Sequence, residues 1–281
     1  MKFMRFGNRE AAKTACLVEP DGTLRDLSSL VSDIGPDTLG GQLHDALKDA
    51  DVSQLKVINA DGRRIAPPMA QPNNIWCVGL NYSDHAAEAG LPVPGEPILF
   101  NKASGTFCGP NDPLLFSPEM TKLDWEVELG IVISKPALRV SKESAMDHVA
   151  GFVLVNDVSE RAWQMEREGQ WVKGKSFPNF CPVGPILVTP DEVDVGNLGM
   201  WLDIDGERMQ DGSTSTMIFD VPTVVSYMSE FTRLEAGDLI CTGTPPGVGA
   251  GMDPQRWLKP GEVVTLGIDG LGEQRQEVTA L

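Results

Sequence analysis

The sequence lacks the features by which membrane proteins and nucleic-acid-binding proteins are usually recognised. None of its 281 residues belongs to an apolar run of about 18 residues, the length that a membrane-spanning helix needs. The first ten residues lack the apolar segment of a secretory signal peptide. Basic residues are few, since 23 Lys and Arg stand against 40 Asp and Glu, a formal net charge of −17. We therefore expect no nucleic-acid or membrane partner, and a cytoplasmic location.

Cysteine pairs with the spacing of metal ligands are also missing, because the five cysteines are scattered through the chain. Their number is odd, so they cannot all pair in disulfides within the chain. We therefore expect a reducing compartment, where thiols stay free. Neither a glycine-rich dinucleotide motif nor a phosphate-binding loop occurs, so we predict no nucleotide site. Histidine occurs only three times, as His44, His85 and His148, which leaves few candidates for an imidazole base.

Helix signals are scarcer than strand signals. After residue 74 the pattern predicts helices at residues 82–89, 142–148, 159–167 and 222–231. Several strands lie between them, and Asp205-Gly206 and Asp269-Gly270 are typical of hairpin turns. Because the strands do not alternate with helices, the sequence favours a mixed α+β fold over a doubly wound one. We expect a strand-rich β-roll or sandwich with peripheral helices.

The first 70 residues have the pattern of a small separate unit. Strand-like segments at residues 1–6, 14–19 and 24–27 precede a weak helical pattern at residues 39–47. The proline-rich segment at residues 66–73 is typical of a linker. We therefore predict a small N-terminal domain at residues 1–70 and a larger domain at residues 71–281.

Three carboxylates, Asp124, Glu126 and Glu128, alternate along one short segment. Alternate side chains of a strand point to the same face, so these like charges would repel one another. A divalent cation with oxygen ligands, such as Mg²⁺, would offset that repulsion. Asp157 ends an apolar run and is well placed to complete the same site. The alternative is a strand with one solvated acidic face, followed by a turn aspartate.

Residues 79–88 pass from an apolar strand into a helix that carries His85 and Glu88. Residues three apart stand on one face of a helix, and a carboxylate beside an imidazole orients the ring and raises its basicity. The pair is therefore a candidate general base. An exposed pair with a small effect on helix stability is the alternative.

Other polar side chains are candidates for binding a substrate. Arg161 and Gln164 are three apart on a predicted helix, which suits one pocket or one solvated face. Thr244 lies in a glycine-rich loop after an apolar strand, which is either a ligand-binding loop or a wide structural turn. A lysine held near a metal would stabilise developing negative charge, but local sequence does not separate Lys173 from Lys175.

Together these segments resemble the fumarylacetoacetate hydrolase family. The resemblance is carried by GLNYSDHAAE at residues 79–88, DWEVE at 124–128, NDVSER at 156–161, KSF at 175–177 and TGTPPGVG at 242–249. They occur in the family's order and span most of residues 74–278. The C-terminal segments at residues 258–264 and 270–276 look most like the bacterial subgroup that includes 2,4-diketo-3-deoxy-sugar-acid hydrolases. The resemblance implies the family's mixed β-roll, commonly in a homodimer, with a small N-terminal domain in longer members.

By the same resemblance, Glu126, Glu128 and Asp157 would bind Mg²⁺ or Mn²⁺. Asp124 is not a usual ligand in shorter family members and is expected to orient the strand or to support the ligands. The remaining residues that the resemblance implies are a water-activating dyad of His85 and Glu88, the charge-stabilising Lys175 rather than Lys173, and the substrate-binding Arg161, Gln164 and Thr244. Relatives often have an aspartate three residues after this lysine, where this chain has Pro178.

The activity implied is hydrolysis of a carbon–carbon bond in a 2,4-diketo acid. The substrate would be an acylpyruvate or a 2,4-diketo-3-deoxy sugar acid, and the products pyruvate and a carboxylic acid. Oxaloacetate decarboxylation, and isomerase or ureidoglycolate lyase activity, are alternatives on the same fold. A keto-acid-binding protein without catalysis is the alternative outside enzymes.

Overall fold

The computed structural model describes residues 1–11, 13–88 and 90–281. Its strands, in chain order, are β1 Lys2–Phe6, β2 Thr14–Val18, β3 Leu24–Asp26, β4 Ile65–Ala66, β5 Ile75–Gly79, β6 Ile98–Lys102, β7 Phe107–Cys108, β8 Leu114–Phe116, β9 Leu123–Asp124, β10 Val127–Ile133, β11 Val149–Asn156, β12 Ser159–Glu160, β13 Cys181–Pro182, β14 Leu187–Val188, β15 Gly199–Ile204, β16 Glu207–Ser213, β17 Leu239–Cys241, β18 Val263–Ile268 and β19 Gly272–Ala280. The α-helices are α1 Pro36–Leu39, α2 Gln42–Lys48, α3 Ser83–Glu88, α4 Arg161–Met165, α5 Val172–Lys175 and α6 Val221–Phe231. Short 3-10 helices lie at Val52–Gln54, Ser104–Thr106, Lys142–His148, Pro190–Glu192, Thr214–Thr216 and Gly249–Gly251.

Most of these strands belong to two sheets. The larger sheet has the order β3-β2-β1-β14-β11-β10-β17-β5-β6, with β4 also paired to β1. The smaller sheet has the order β16-β15-β18-β19-β8, and β9 with β12 and β7 with β13 form two-stranded ladders. The strand-rich mixed fold predicted from the sequence is confirmed. Among the helices that the structure describes, none is long and apolar enough to span a membrane.

The central strand β10 is buried on both faces, which explains its continuous apolar sequence. Leu129 and Ile131 belong to an apolar cluster that includes Leu202 and Leu266 of the smaller sheet. Val132 belongs to a second cluster, on the side of the N-terminal strands. Burial of both faces fixes the position of β10, and with it the carboxylates at its start.

Two hairpins agree with the turn signals in the sequence. Asp205 and Gly206 connect β15 to β16 with positive φ at both residues, and Gly270 lies in the turn between β18 and β19 with φ +76°. Positive φ is accessible to glycine without steric cost, which is why these dipeptides are informative.

Three predicted elements differ from the observed ones. The helix predicted at residues 159–167 is shorter, because Ser159–Glu160 pairs with Leu123–Asp124 and α4 begins only at Arg161. Residues 142–148 form a 3-10 helix. Helix α3 covers Ser83–Glu88, and residue 89 of the predicted helix lies outside the described residues. The acidic segment at residues 124–128 is also not one continuous strand, because β9 ends at Asp124 and β10 begins only at Val127.

The division into domains at residue 70 stays a prediction. Strand β1 is hydrogen-bonded to β14 as well as to β2, so residues from both predicted domains share one sheet. Phe3 and Leu17 also belong to the same apolar cluster as Val132 of β10. The predicted linker is structured in part, because Ile65–Ala66 pairs with β1 and Met69 is buried.

Tight packing of β11 against β14 yields a stability prediction. A Cβ added at Gly151 would lie 2.4 Å from the carbonyl oxygen of Val188, a backbone atom that cannot easily move. We expect Gly151→Ala to lower the free energy of unfolding by about 1–3 kcal/mol in urea denaturation. Gly95→Ala is the matched control, because its Cβ meets no described atom within 4 Å. Equal effects of the two substitutions would contradict the packing argument.

Candidate active site

One cavity of about 320 Å³ contains the side chains that the sequence singled out. It opens between the end of β5, the start of β10, helices α3, α4 and α5, and the glycine-rich loop after β17. The predicted residues that line it are His85, Glu88, Glu126, Glu128, Arg161, Gln164, Lys175 and Thr244. Asp157 is fully buried and lies directly behind this wall, in contact with Lys175.

The three predicted metal ligands converge. Pairing of Val127 with Asn156 places the start of β10 beside the end of β11, and this brings Asp157 next to the acidic segment. Carboxylate oxygens of Glu126, Glu128 and Asp157 lie within 4.8 Å of one another. A buried set of carboxylate oxygens suits a hard divalent cation such as Mg²⁺ or Mn²⁺, so the donor set fits the predicted ion.

Two buried lysines neutralise part of this acidic cluster. Lys175 Nζ donates to Glu126 Oε2 at 2.6 Å and to Asp157 Oδ2 at 2.7 Å. Lys102 Nζ donates to the other oxygen of Asp157 and to the carbonyl oxygen of Val158. Lys102 was not among the residues predicted from the sequence. Its only local signal is its position as a charged residue at the end of β6, two residues after the apolar Phe100, where an unpaired lysine would be costly to bury.

The structure separates the two lysines that the sequence could not. Lys175 is almost fully buried, whereas Lys173 is exposed and donates to the carbonyl oxygen of Arg167. Gly174 makes this possible, because a Cβ there would lie 2.4 Å from the Glu160 carbonyl oxygen. Helix α5 can therefore approach closely enough to insert Lys175 among the carboxylates.

The carboxylates differ in their electrostatic surroundings. Burial raises the pKa of Glu128 well above its ordinary value, and the nearby charges of Asp157 and Glu126 add to this shift. Its one hydrogen bond from a described backbone N–H comes from Gly243 at 2.8 Å. Burial also acts to raise the pKa of Glu126, but the charges of Arg161 and Lys175 outweigh it and hold that pKa far below its usual range. Glu128 is thus the carboxylate that needs a further cation.

Arg161 is held by acidic partners. Its Nε donates to Asp124 Oδ2 at 2.7 Å, and its Nη2 donates to Glu126 Oε1 at 2.6 Å. Burial works against the charged guanidinium, but Glu126 and Asp124 hold its pKa above the ordinary value. Nη1 donates to Gln164 Oε1 at 2.9 Å, which fixes the amide and leaves its NH₂ group for a ligand. Most of the N–H groups of Arg161 therefore bind side chains of the protein and hold the site in position.

Asp124 connects this network to the glycine-rich loop. Its Oδ1 accepts the backbone N–H of Gly249 at 2.7 Å, and its Oδ2 accepts that of Ala250 at 3.1 Å. With Arg161 as a third partner, this fully buried carboxylate is saturated by donors from the protein. Such saturation agrees with the expectation that Asp124 supports the site rather than binding an ion.

His85 and Glu88 contact each other at the mouth of the cavity. The distance from His85 Nδ1 to Glu88 Oε2 is 2.9 Å, and Glu88 Oε1 accepts the N–H of Gly247 at 2.9 Å. The carboxylate is thus oriented by the glycine-rich loop and in turn orients the imidazole. A Cβ at Gly247 would lie 1.9 Å from the Met209 carbonyl oxygen, so this loop position requires glycine.

The hydroxyl of Thr244 is largely occupied by the protein. It donates to the Val127 carbonyl oxygen at 2.9 Å and accepts from Gln210 Nε2 at 2.8 Å. Gln210, which the sequence analysis did not single out, also accepts the N–H of Val127. The hydroxyl can accept one more hydrogen bond, but it can donate to a substrate only by leaving Val127. The substrate-binding role of Thr244 stays a prediction.

Comparison with known proteins identifies the family. Residues 74–279 match the model of the fumarylacetoacetate (FAA) hydrolase C-terminal domain. The chain belongs to the fumarylacetoacetate hydrolase family. A relative from Sphingomonas sp. (strain SKA58), named 2,4-didehydro-3-deoxy-L-rhamnonate hydrolase, is 49% identical over 281 residues, covering 99% of this chain and 96% of the relative.

Solved structures of other family members have the same fold over the whole chain. The fumarylacetoacetate hydrolase of Exiguobacterium antarcticum superposes with a TM-score of 0.86 at 35% identity, and all of both chains is covered. The maleylpyruvate hydrolase of Sphingobium sp. SYK-6, solved in complex with manganese(II) and pyruvate, gives a TM-score of 0.82 at 26% identity over 100% of this chain and 99% of that chain. The family resemblance drawn from the motifs is confirmed, while the roles of individual residues stay predictions.

The contrasting environments of Glu126 and Glu128 yield a prediction about metal binding. Glu128→Gln removes a carboxylate whose charge is costly, so we expect the metal-free variant to be as stable as the original protein, or more stable. Glu126→Gln removes one of the two acidic partners of Arg161 and one of the two acidic partners of Lys175, and it is expected to cost about 3–5 kcal/mol. Thermal unfolding with and without Mn²⁺ measures both effects.

Both substitutions should abolish the increase in melting temperature that Mn²⁺ gives the original protein, since each removes a ligand. Glu119→Gln, at an exposed carboxylate outside the cavity, is the control and should keep that increase. Undiminished stabilisation of Glu128→Gln by Mn²⁺ would show that Glu128 is not a ligand.

Proposed function

We propose that the protein is a Mg²⁺- or Mn²⁺-dependent hydrolase that cleaves a carbon–carbon bond in a 2,4-diketo acid. The products would be pyruvate and a carboxylic acid. The observation that carries this proposal is the position of the His85–Glu88 pair across the same cavity from Glu126, Glu128 and Lys175. A water-activating base and an anion-stabilising cluster are thereby available to one small molecule.

Glu126, Glu128 and Asp157 would hold the divalent ion, which when bound supplies a Lewis acid toward the keto and carboxylate oxygens of the substrate. The NH₂ group of Gln164 is placed to donate to one of these oxygens. Lys102 and Lys175 form ion pairs with Asp157 and Glu126, which hold these two ligands in place before the ion binds. Glu128, whose pKa is raised by burial, would release its proton when the ion binds.

In the proposed reaction the Nδ1–H of His85 donates a hydrogen bond to Glu88, which leaves Nε2 free to accept a proton. In the proposed reaction His85 takes a proton from water, and the oxygen of that water attacks the C4 carbonyl. The C3–C4 bond then breaks, its electron pair remains on C3, and the acyl part leaves as a carboxylic acid. Lys175 stabilises the resulting pyruvate enolate, and protonation at C3 gives pyruvate. One water is consumed for each diketo acid.

Two relatives support this choice of substrate. The didehydro-deoxy acid in the name of the Sphingomonas relative is chemically a 2,4-diketo acid, and so is maleylpyruvate. The Sphingobium enzyme was solved with both manganese(II) and pyruvate, the ion and the product that the proposal requires. Decarboxylation of oxaloacetate would need the acidic cluster and Lys175 but no activated water, so the contact between His85 and Glu88 favours hydrolysis.

We also propose that the protein is a cytoplasmic homodimer, as the family resemblance implies. All five cysteines are free in the structure and buried, which supports a reducing compartment. Light scattering tests the dimer directly, because two 30.4 kDa chains should scatter as one particle of twice that mass. A particle with the mass of a single chain would exclude it.

Pyruvate release from a substrate panel tests the reaction class. We expect acetylpyruvate and a 2,4-diketo-3-deoxy sugar acid to give pyruvate plus a carboxylic acid with Mg²⁺ or Mn²⁺, and no product with EDTA. Oxaloacetate is the control for decarboxylation. Pyruvate and CO₂ from oxaloacetate alone would make the protein a decarboxylase and would leave the His85–Glu88 pair without its proposed role.

Removal of the base gives a second prediction. We expect His85→Gln to lower kcat for the best diketo acid about 10²–10⁴-fold with little change in KM, because proton transfer is lost while binding is kept. His44→Gln is the matched control, since His44 is exposed on α2, away from the cavity. Original turnover in His85→Gln would exclude His85 as the base.

A further inference from the structure

We propose that the cavity selects 2,4-diketo acids whose acyl group is uncharged and ends in an apolar group, and that it excludes acyl groups with a second carboxylate. This inference rests on the proposed function and narrows its substrate class. It separates alkyl and deoxy-sugar acyl groups from dicarboxylic ones such as fumaryl and maleyl.

The apolar walls lie where the acyl group has to be. Water activated by His85 attacks the acyl carbonyl, so the rest of the acyl group extends beside helix α3. Leu91 lies there, because its N–H donates to the Ala86 carbonyl oxygen at 3.0 Å. Leu91 lines the cavity and is 48% exposed. An apolar side chain exposed at a cavity rim gains stability when an apolar group covers it.

Other side chains in the wall are apolar as well. Met165 follows Gln164 on α4, lines the cavity and is 58% exposed. Trp171 and Phe100, which also line the cavity, pack edge to face with ring centroids 5.1 Å apart. Together these side chains offer surface to a methyl or alkyl end but no donor for a carboxylate, apart from the indole N–H of Trp171.

No free cation is available for a second carboxylate among the described residues of the cavity wall. The cationic side chains in that wall are Arg161 and Lys175, and both are bound by buried acids. Lys102, behind the wall, is bound by Asp157. Redirecting any of them would leave a buried carboxylate unpaired, which costs more than an exposed ion pair returns.

The net charge of the site also disfavours a second carboxylate. The five carboxylates at the site are Asp124, Glu126, Glu128, Asp157 and Glu88, and they face the three cations Lys102, Arg161 and Lys175. A divalent ion brings the total to zero, so the carboxylate of the pyruvate part already makes the site negative. A second carboxylate would enter beside Glu88, where like charges repel.

Matched acylpyruvates test the inference. With Mn²⁺ present, we expect kcat/KM for acetylpyruvate and isovalerylpyruvate to exceed that for fumarylpyruvate and maleylpyruvate by about 100-fold or more. Dissociation constants for the same four acids, measured calorimetrically with His85→Gln, should follow the same order. These dissociation constants do not depend on turnover, so they test selectivity even where no acid is cleaved.

A charge placed in the apolar wall should weaken the preference for uncharged acyl groups. We expect Met165→Arg to raise kcat/KM for fumarylpyruvate at least about 10-fold relative to that for isovalerylpyruvate, because it supplies the missing cation. Met165→Gln is the control, since it changes polarity without adding charge and should leave fumarylpyruvate a poor substrate.

Fumarylpyruvate that binds and reacts as well as acetylpyruvate in the original protein would overturn the inference. Failure of the proposed function would look different. In that case none of the four acids would release pyruvate, and the order of their dissociation constants would still decide whether the cavity rejects a second carboxylate.

Discussion

Burial of acidic charge is the constraint on which this site depends. A carboxylate removed from water is unstable unless cations or donors surround it, and here several carboxylates are removed together. Asp157 and Glu126 obtain their compensation from Lys102, Lys175 and Arg161. Among the described residues Glu128 obtains a single backbone N–H, and this shortage is the reason for proposing the cluster as the site of a divalent ion.

The same carboxylates also organise the protein around the cavity. Asp124 and Glu88 both accept N–H groups of the glycine-rich loop, one at Gly249 and the other at Gly247. The loop thereby connects Arg161, through Asp124, with His85, through Glu88. A shift of this loop would move His85 and the acidic cluster relative to each other, which couples two parts of the site that are distant in sequence.

The proposed selectivity for uncharged acyl groups follows from the binding of the site's cations to buried acids. Cations committed to buried acids cannot bind a distant part of the substrate, so the outer cavity is left to the apolar surfaces of Leu91, Met165 and Trp171. On the proposal made above, a dicarboxylic acyl group would need a cation that the described residues of this wall do not offer. Substitutions at a few positions at the cavity rim, such as Leu91 and Met165, can change the substrate while β10 and its neighbours keep the fold the same.

The sequence by itself determined the features that depend on local spacing. The strand-rich class, the hairpin turns at Gly206 and Gly270, and the contact of His85 with Glu88 follow from periods of two and of about 3.6 residues. Only the tertiary structure decided the long-range partners. Lys102 is 55 residues from Asp157 and the hydroxyl of Thr244 contacts Val127 from 117 residues away. Such contacts depend on strand order and on how closely α5 approaches the sheet, which no local pattern encodes. That is why the local sequence pattern, without the family resemblance, could not choose between Lys173 and Lys175, or show that Arg161 is held by acids.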